Sequence, residues 1–261
     1  MASATRSTRP PLSRRRAERA VVRASRPGYA ALRVVALSAA GLLLVGSGAA
    51  ALPGMLQQQA DVEMALPAQL TRLTIESPRG DVRVREARGD RPAVADLNLG
   101  WTLHQPQPQL VDQGDGAWRL TAQCEENNLG RCWVDMDVVV PDGAAVDVQS
   151  TFGAVRTDTT GDLDVRTTTG DIRVEGSPGR VQASTTFGDV RLTTRQDAPE
   201  SVSVQTSAGD IDVEVPGDQS YQVDADSKLG KERVAVQQAA GARHTLTLDS
   251  EFGDIDVTPS D

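Results

Sequence analysis

Residues 150–192 decide the fold, and they read STFGAVRTDTTGDLDVRTTTGDIRVEGSPGRVQASTTFGDVRL. A glycine returns in this stretch at intervals of eight or nine residues, at Gly153, Gly161, Gly170, Gly179 and Gly188. The segments between these glycines alternate apolar and polar residues, as in Ile172-Arg173-Val174, and a period of two predicts half-buried strands. The repeat therefore predicts one strand and one corner for about every nine residues. Two or more such units make a coil, and stacked coils bury an aliphatic core that no single repeat can bury alone.

The same unit recurs on both sides of this stretch as Gly, Asp, an aliphatic residue, a polar residue and an apolar residue. The Gly-Asp pairs are predicted to form the turns of the repeat, at Gly80-Asp81, Gly161-Asp162, Gly170-Asp171, Gly188-Asp189, Gly209-Asp210 and Gly253-Asp254. Glycine adopts positive φ without a steric penalty. Aspartate can accept a hydrogen bond from its own backbone two residues further on, which closes a turn. The sequence thus predicts an all-β solenoid over residues 69–261.

The period is broken between about residues 98 and 141, where the strands become longer. We interpret this segment as a hairpin inserted between the first coil and the main stack. Cys124 and Cys132 flank a turn-rich stretch within it and are the only two cysteines of the chain. Because cysteines of exported domains oxidise, we predict a disulfide across this hairpin. Two free buried thiols are the alternative.

The N-terminal part of the chain differs sharply in charge from the rest. The first 33 residues carry nine Arg and one Glu, residues 34–52 carry no charge, and the remainder sums to −17 within a total of −9. An uncharged run of this length spans roughly 28 Å as a helix, close to the hydrocarbon thickness of a bilayer. The basic residues before it favour a cytoplasmic N-terminus, so the C-terminal bulk is expected outside the cytoplasmic membrane.

These observations predict four regions. They are a disordered Arg-rich cytoplasmic tail at 1–28, a single transmembrane helix at 29–52, a linker at 53–68 and the solenoid at 69–261. A signal peptide cleaved near Ala51 is the alternative interpretation of the apolar run. Both interpretations export the repeat domain, the first as a membrane-anchored protein and the second as a secreted one.

Four segments of the chain resemble the bacterial putative-adhesin domain family, and they are residues 77–84, 150–155, 168–172 and 250–255. The resemblance covers roughly residues 70–258. It implies a right-handed parallel β-helix, or a related β-solenoid, on the outer side of the membrane. No catalytic or binding residues are carried over, because none is established for the family. Proteins of similar appearance occur beside envelope-stress signalling proteins, which implies a second candidate role.

Residue patterns of known catalytic sites are missing from the sequence. The two histidines, His104 and His244, lie far apart without metal-ligand spacing, and no nucleophile elbow, phosphate-binding loop or zinc pattern occurs. We therefore expect no enzymatic activity and no cofactor. The acidic charge of the repeat region argues against nucleic acid as a partner. Calcium at the Asp corners is an alternative, although the paired glycines of calcium-binding nonapeptide repeats are absent.

Threonines crowd the main stack and are expected to face outward, at Thr151, Thr157, Thr159, Thr160, Thr167, Thr168, Thr169, Thr185 and Thr186. Threonine suits strands in general and can form hydroxyl ladders between coils. The functional alternative is a hydroxyl-rich surface that contacts a glycan or a protein.

The sequence thus predicts a non-catalytic surface or interaction module, and adhesion is the role that the family's label implies. An unknown protein or glycan outside the cell is its expected ligand. A regulatory or sensory partner in envelope stress and a calcium-binding structural protein are the alternatives.

Overall fold

The computed structural model describes residues 57–89, 91–124, 132–194 and 197–260, and this part of the chain contains twenty β-strands and no helix. The strands are β1 (Gln58–Ala65), β2 (Arg72–Arg79), β3 (Val82–Glu86), β4 (Val94–Trp101), β5 (Gln107–Gly114), β6 (Ala117–Gln123), β7 (Cys132–Val140), β8 (Ala145–Phe152), β9 (Val155–Thr159), β10 (Leu163–Thr169), β11 (Ile172–Gly176), β12 (Arg180–Phe187), β13 (Val190–Thr193), β14 (Ser201–Ala208), β15 (Ile211–Pro216), β16 (Ser220–Leu229), β17 (Glu232–Val234), β18 (Gln237–Gln238), β19 (His244–Phe252) and β20 (Ile255–Ser260).

The strands pair into two ten-stranded sheets. Sheet A has the order β1-β4-β7-β3-β9-β11-β13-β15-β20-β17, and sheet B has the order β18-β16-β19-β14-β12-β10-β8-β2-β6-β5. A strand of sheet B followed by a strand of sheet A forms one rung, and neighbouring rungs pair in parallel. The rungs stack in the order β6/β7, β2/β3, β8/β9, β10/β11, β12/β13, β14/β15, β19/β20 and β16/β17. The prediction of an all-β, solenoid-like stack is confirmed, while its right-handed winding stays a prediction.

The core consists of aliphatic columns, because in-register pairing stacks each inward residue on its equivalent in the next rung. One column of sheet B holds Leu73, Val146, Leu163, Val181, Val202 and Leu246. The facing column of sheet A holds Val82, Val155, Ile172, Val190, Ile211 and Ile255. All of these side chains are buried, and burial of each one stabilises the fold by roughly 1.5–3 kcal/mol. Repeated aliphatic layers explain how the domain holds together with few aromatic residues.

The C-terminal end of the stack departs from sequence order. The last rung in the chain, β19/β20, lies between β14/β15 and β16/β17. The inward residues Leu246 and Leu248 of β19 are fully buried. In β17 the residue paired in register with buried Ile255 of β20 is Glu232, which is exposed. A rung with a carboxylate in its core column cannot be covered by another layer without a large desolvation cost. The more polar rung therefore takes the terminal position.

The N-terminal end is closed by antiparallel strands. Strand β4 pairs with β7 and β1 pairs with β4 in sheet A, while β5 pairs with β6 in sheet B. Both outermost strands, β1 and β5, alternate exposed and half-buried residues, which suits an edge that no further rung covers.

Two sequence-based boundaries are wrong. The predicted linker at 53–68 contains strand β1, whose alternation is too short and too polar to stand out before its pairing partner is known. The predicted hairpin insertion at 98–141 begins earlier, with β4, and it is not a simple hairpin. Its strands β6 and β7 form a rung of the stack, because their buried residues, such as Leu120 and Met136, continue the core columns.

The predicted disulfide between Cys124 and Cys132 is present, with 5.8 Å between the two Cα atoms. It does not cross a hairpin, because β6 belongs to sheet B and β7 to sheet A. The bond instead closes the corner of the β6/β7 rung. In the chain-entropy model, closing so short a loop contributes roughly 2–3 kcal/mol.

Several threonines expected on the surface are buried, which corrects the prediction for Thr157, Thr159, Thr167 and Thr185. A polar column runs inside sheet B, three positions before the corner glycines, through Ser77, Ser150, Thr167, Thr185, Thr206 and Ser250. The hydroxyl of Thr206 donates to the carbonyl of Gly188 at 3.2 Å, and that of Ser250 donates to Gly209 at 3.1 Å. A small hydroxyl side chain can bond to the corner backbone there, and a larger aliphatic one cannot.

No helix long and apolar enough to cross a bilayer occurs among the described residues. The predicted tail at 1–28, the predicted transmembrane helix at 29–52 and the alternative cleavage site near Ala51 lie outside them.

Candidate ligand-contact site

Five of the six Gly-Asp pairs singled out in the sequence lie at the same corner of successive rungs, between a strand of sheet B and a strand of sheet A. At Gly209, φ is +155°, and a Cβ atom would lie 2.0 Å from the carbonyl oxygen of Gly188. At Gly188, φ is +152°, and a Cβ atom would lie 2.2 Å from the carbonyl oxygen of Gly170. Glycine is required there by the backbone conformation and by the close approach of the next rung.

The sixth pair, Gly161-Asp162, lies at the opposite corner, where the chain returns from sheet A to sheet B before β10. The nine-residue spacing therefore alternates between two kinds of corner, and two repeats make one rung. The sequence alone does not distinguish the two kinds of corner, because a Gly-Asp pair occurs at both.

The corner aspartates form a ladder between rungs. The Oδ1 of Asp171 accepts from the amide of Asp189 at 3.0 Å, and the Oδ1 of Asp189 accepts from the amide of Asp210 at 2.9 Å. Asp210 accepts in the same way from Asp254, and Asp254 from Lys231. The expected bond of each aspartate to its own backbone is replaced by a bond to the next rung. In-register stacking brings that amide within reach.

Phenylalanine occupies the position directly before the corner glycine in every second rung of the main stack. In-register pairing places Phe152, Phe187 and Phe252 in one row, with Thr169 and Ala208 between them. All three phenylalanines of the chain lie in this row, and they are 46%, 57% and 57% exposed. Leu229, which is 67% exposed, continues the row in the terminal rung. We call these four residues the Phe row.

Arg79 marks the other end of this column. It pairs in register with Phe152, and its guanidinium lies 5.6 Å from the centre of the Phe152 ring. This distance is within the range of a cation–π contact. The first ring of the Phe row is therefore held in place by a neighbour on the next strand.

The outer face of sheet B beside the Phe row is rich in hydroxyl and amide groups. We define the polar face by the outward residues of β8, β10, β12 and β14 that carry no charge, which are Gln149, Thr151, Thr168, Gln182, Ser184, Thr186, Ser203, Gln205 and Ser207. A groove of 590 Å³ opens on this face, with Gln149, Thr151 and Thr168 in its lining.

Two carboxylates on neighbouring strands, Asp147 of β8 and Asp164 of β10, interrupt the neutral character of the polar face. Asp164 forms an ion pair with Arg166. Partial burial raises the pKa of Asp164, the Arg166 guanidinium opposes that rise, and Asp147 adds to it. The ion pair neutralises Asp164, while Asp147 accepts a hydrogen bond from the Gln149 side chain at 3.3 Å and keeps its charge.

The outer face of sheet A is of a different character, because it carries paired charges. An arginine column runs through Arg83, Arg156, Arg173 and Arg191. Each has a carboxylate within 4 Å; Arg156, for example, lies 3.9 Å from Asp81. This mutual neutralisation leaves little net positive charge to bind an anion.

A second groove, also of 590 Å³, lies at the N-terminal end of sheet A and is lined by six carboxylates together with Arg83 and Arg156. Asp61 accepts from the Asn98 side chain at 2.6 Å, and Asp137 accepts from Arg85 at 2.6 Å. Among the described residues no group of three or more His, Cys, Asp or Glu side chains is arranged to hold a metal ion. Calcium at the Asp corners stays a hypothesis.

His244 lies at the start of β19, where its Nδ1 is 2.8 Å from the carbonyl oxygen of Pro199 and its ring is 5.8 Å from that of Tyr221. Such contacts are those of a structural residue.

A family model described as Toastrack DUF4097 matches residues 56–258, which include all the rungs. The chain belongs to the Toastrack DUF4097 family. The resemblance based on the Gly-Asp units is thereby confirmed. No curated protein matches the chain.

Solved structures similar to this Toastrack domain include a putative cell adhesion protein from Clostridium sporogenes, with a TM-score of 0.50 and 10% identity over 78% of this chain and 100% of that one. A putative adhesin from Bacteroides fragilis matches with a TM-score of 0.35 and 10% identity, over 78% of this chain and 97% of that one. The first likeness shows a shared fold and nothing further.

The Phe row of the Toastrack domain was not predicted from the sequence. The signal is nevertheless present, because Phe152, Phe187 and Phe252 each directly precede a corner glycine. The corners are predicted from the Gly-Asp pairs, and the residue before each glycine is not part of that pattern. Two successive outward residues at the end of each sheet B strand break the simple alternation, and only the structure shows this break.

Proposed function

We propose that this Toastrack domain is a non-catalytic contact module of the cell envelope that binds its ligand along the Phe row. The observation that carries the proposal is that all the phenylalanines of the chain are exposed in one register column. Phenylalanine ordinarily lies inside a protein, and leaving such a side chain in water forgoes roughly 1.5–3 kcal/mol of burial.

The fold itself does not require phenylalanine in this column. Thr169 and Ala208 occupy it in the intervening rungs and pair in the same register. Because smaller residues serve equally well there, the three rings are explained by a contact outside the domain. Exposed aromatic residues grouped together mark interaction sites more often than scattered ones do.

Three features support a location outside the cytoplasm. The chain begins with an Arg-rich segment followed by the uncharged run at 34–52. It also forms a disulfide between its only two cysteines, and such bonds persist in oxidising compartments. We propose a domain on the outer face of the cytoplasmic membrane, anchored by that run.

The test measures co-sedimentation of the purified full-length chain, kept in detergent, with isolated bacterial envelopes from which the lipid has been extracted, so that the apolar run at 34–52 cannot insert. The key variant replaces Phe152, Phe187 and Phe252 by threonine, the residue already present at 169. We expect at least tenfold weaker binding, since losing several aromatic anchors costs more than 1.4 kcal/mol in total. The control variant Val111→Thr removes an apolar side chain of similar exposure from β5 and should bind as the native chain does. Equal binding by the triple variant and the native chain would refute the proposal.

A further inference from the structure

We propose that the ligand of the Phe row is a neutral, extended polysaccharide that runs along the stack, with every second sugar ring against a phenylalanine. This inference rests on the proposed function and specifies the chemistry of the ligand.

The first observation that supports a polysaccharide is the spacing of the phenylalanine rings along the stack. Phe152 and Phe187 lie two rungs apart, as do Phe187 and Phe252. With 4.7–4.9 Å between neighbouring strands, the rings repeat at roughly 9.5 Å. In an extended β-1,4-linked glycan successive sugars alternate in orientation, so the same ring face returns with every second sugar. The alternation of phenylalanine with threonine or alanine matches such a two-sugar period.

The size of the apolar surface argues against a folded protein in this place. A phenylalanine offers 150–250 Å² in all, so the half-exposed rings and Leu229 together present roughly 400 Å². A stable protein interface needs about 800 Å² from each partner. A narrow polymer that contacts one ring after another needs no such area.

The surroundings of the row favour hydroxyl groups and disfavour negative charge. On one side lie hydroxyls of the polar face, such as Thr168 and Thr186, which can donate and accept hydrogen bonds. On the other side lie the corner aspartates Asp189 and Asp254, two residues beyond Phe187 and Phe252. Ala154 takes this place beyond Phe152. Each aspartate of the ladder accepts one backbone amide through Oδ1, and a carboxylate has capacity to accept further hydrogen bonds. Sugar hydroxyls can donate to these oxygens, whereas an anionic polymer is repelled by the row of like charges.

The experiment titrates the purified full-length chain with soluble β-1,4-linked oligomers of N-acetylglucosamine, from two sugars upward. We expect affinity to rise with length until about five sugars reach all three rings, which span roughly 19 Å. The central variant Phe187→Thr should weaken the longest oligomer about tenfold, and Val111→Thr should leave it unchanged. The α-1,4-linked glucose oligomer of equal length, whose chain curls, should bind at least tenfold more weakly, as should an alginate oligomer, which is extended and anionic.

The outcomes separate this inference from the proposed function. Loss of envelope binding in the triple Phe→Thr variant, together with no affinity for any neutral oligomer, would overturn the ligand class and leave the contact role intact. Equal affinity for the α- and β-linked oligomers, or tighter binding of alginate, would also overturn it. Self-association in sedimentation velocity that disappears in the triple variant would assign the row to a second copy of the chain instead.

Discussion

At the scale of single residues, the Gly-Asp corner sets a tight steric limit, because backbone of the neighbouring rung occupies the place of a side chain. The corner glycines combine positive φ with a neighbouring carbonyl about 2 Å from the place of a Cβ atom, whereas Gly143 has positive φ and nothing within 4 Å of that place. The free-energy cost of positive φ and the cost of the steric clash can therefore be measured separately.

We predict that Gly188→Ala destabilises the domain by about 3 kcal/mol or more, because alanine there is strained and also clashes with Gly170. The control Gly143→Ala should cost only about 1 kcal/mol, the strain of an alanine in the left-handed region. Chemical denaturation followed by circular dichroism measures both. Equal losses for the two variants would show that the corner is not closely packed.

The residue types of the corner could be predicted from the sequence, but their directions could not. Glycine and aspartate indicate a turn, because their conformational preferences depend only on the local backbone. Whether a residue such as Thr185 points inward, or Phe187 outward, depends on where the strand bends at the corner. That bend follows from stacking on the next rung, so it is invisible in one repeat taken alone.

At the scale of elements, the Asp ladder links the rungs outside the core and is interrupted once. Ala154 occupies an aspartate position, and its amide donates to Asp81 at 2.9 Å. Its methyl group offers no acceptor to the amide of Asp171, the next member of the column. One rung of the main stack therefore lacks a bond that its neighbours have.

We predict that Ala154→Asn stabilises the domain by about 1 kcal/mol, the usual net contribution of one hydrogen bond. Ala154→Asp should gain less at low ionic strength, since its charge lies between two other carboxylates, and salt should restore the difference. Thermal unfolding at two salt concentrations measures both effects. An Asn variant no more stable than the native chain would contradict the ladder's role.

The order of the elements could be predicted only in part. The sequential stack from β8 to β15 follows from the even spacing of the repeats. The exchange at the C-terminal end does not, because it depends on which rung has the more polar core side. Glu232 makes the core side of β17 polar and Leu246 makes that of β19 apolar. This difference becomes evident only when the core columns of the rungs are compared.

At the scale of the whole molecule, the two outer faces have separate characters. Sheet A presents an arginine column paired with carboxylates, whereas the middle strands of sheet B present mainly hydroxyl and amide groups beside the exposed rings. The sequence predicted a hydroxyl-rich surface as one alternative. It could not show which sheet carries that surface, because adjacent repeats differ little in composition.

The most direct test of the account is hydroxyl-radical footprinting of the full-length chain, alone and with isolated bacterial envelopes, read out by mass spectrometry. The account predicts that Phe152, Phe187 and Phe252 are all readily oxidised in the free chain and are protected together when envelopes are bound. Rings that stay unreactive in the free chain, or that oxidise equally with and without bound envelopes, would contradict it.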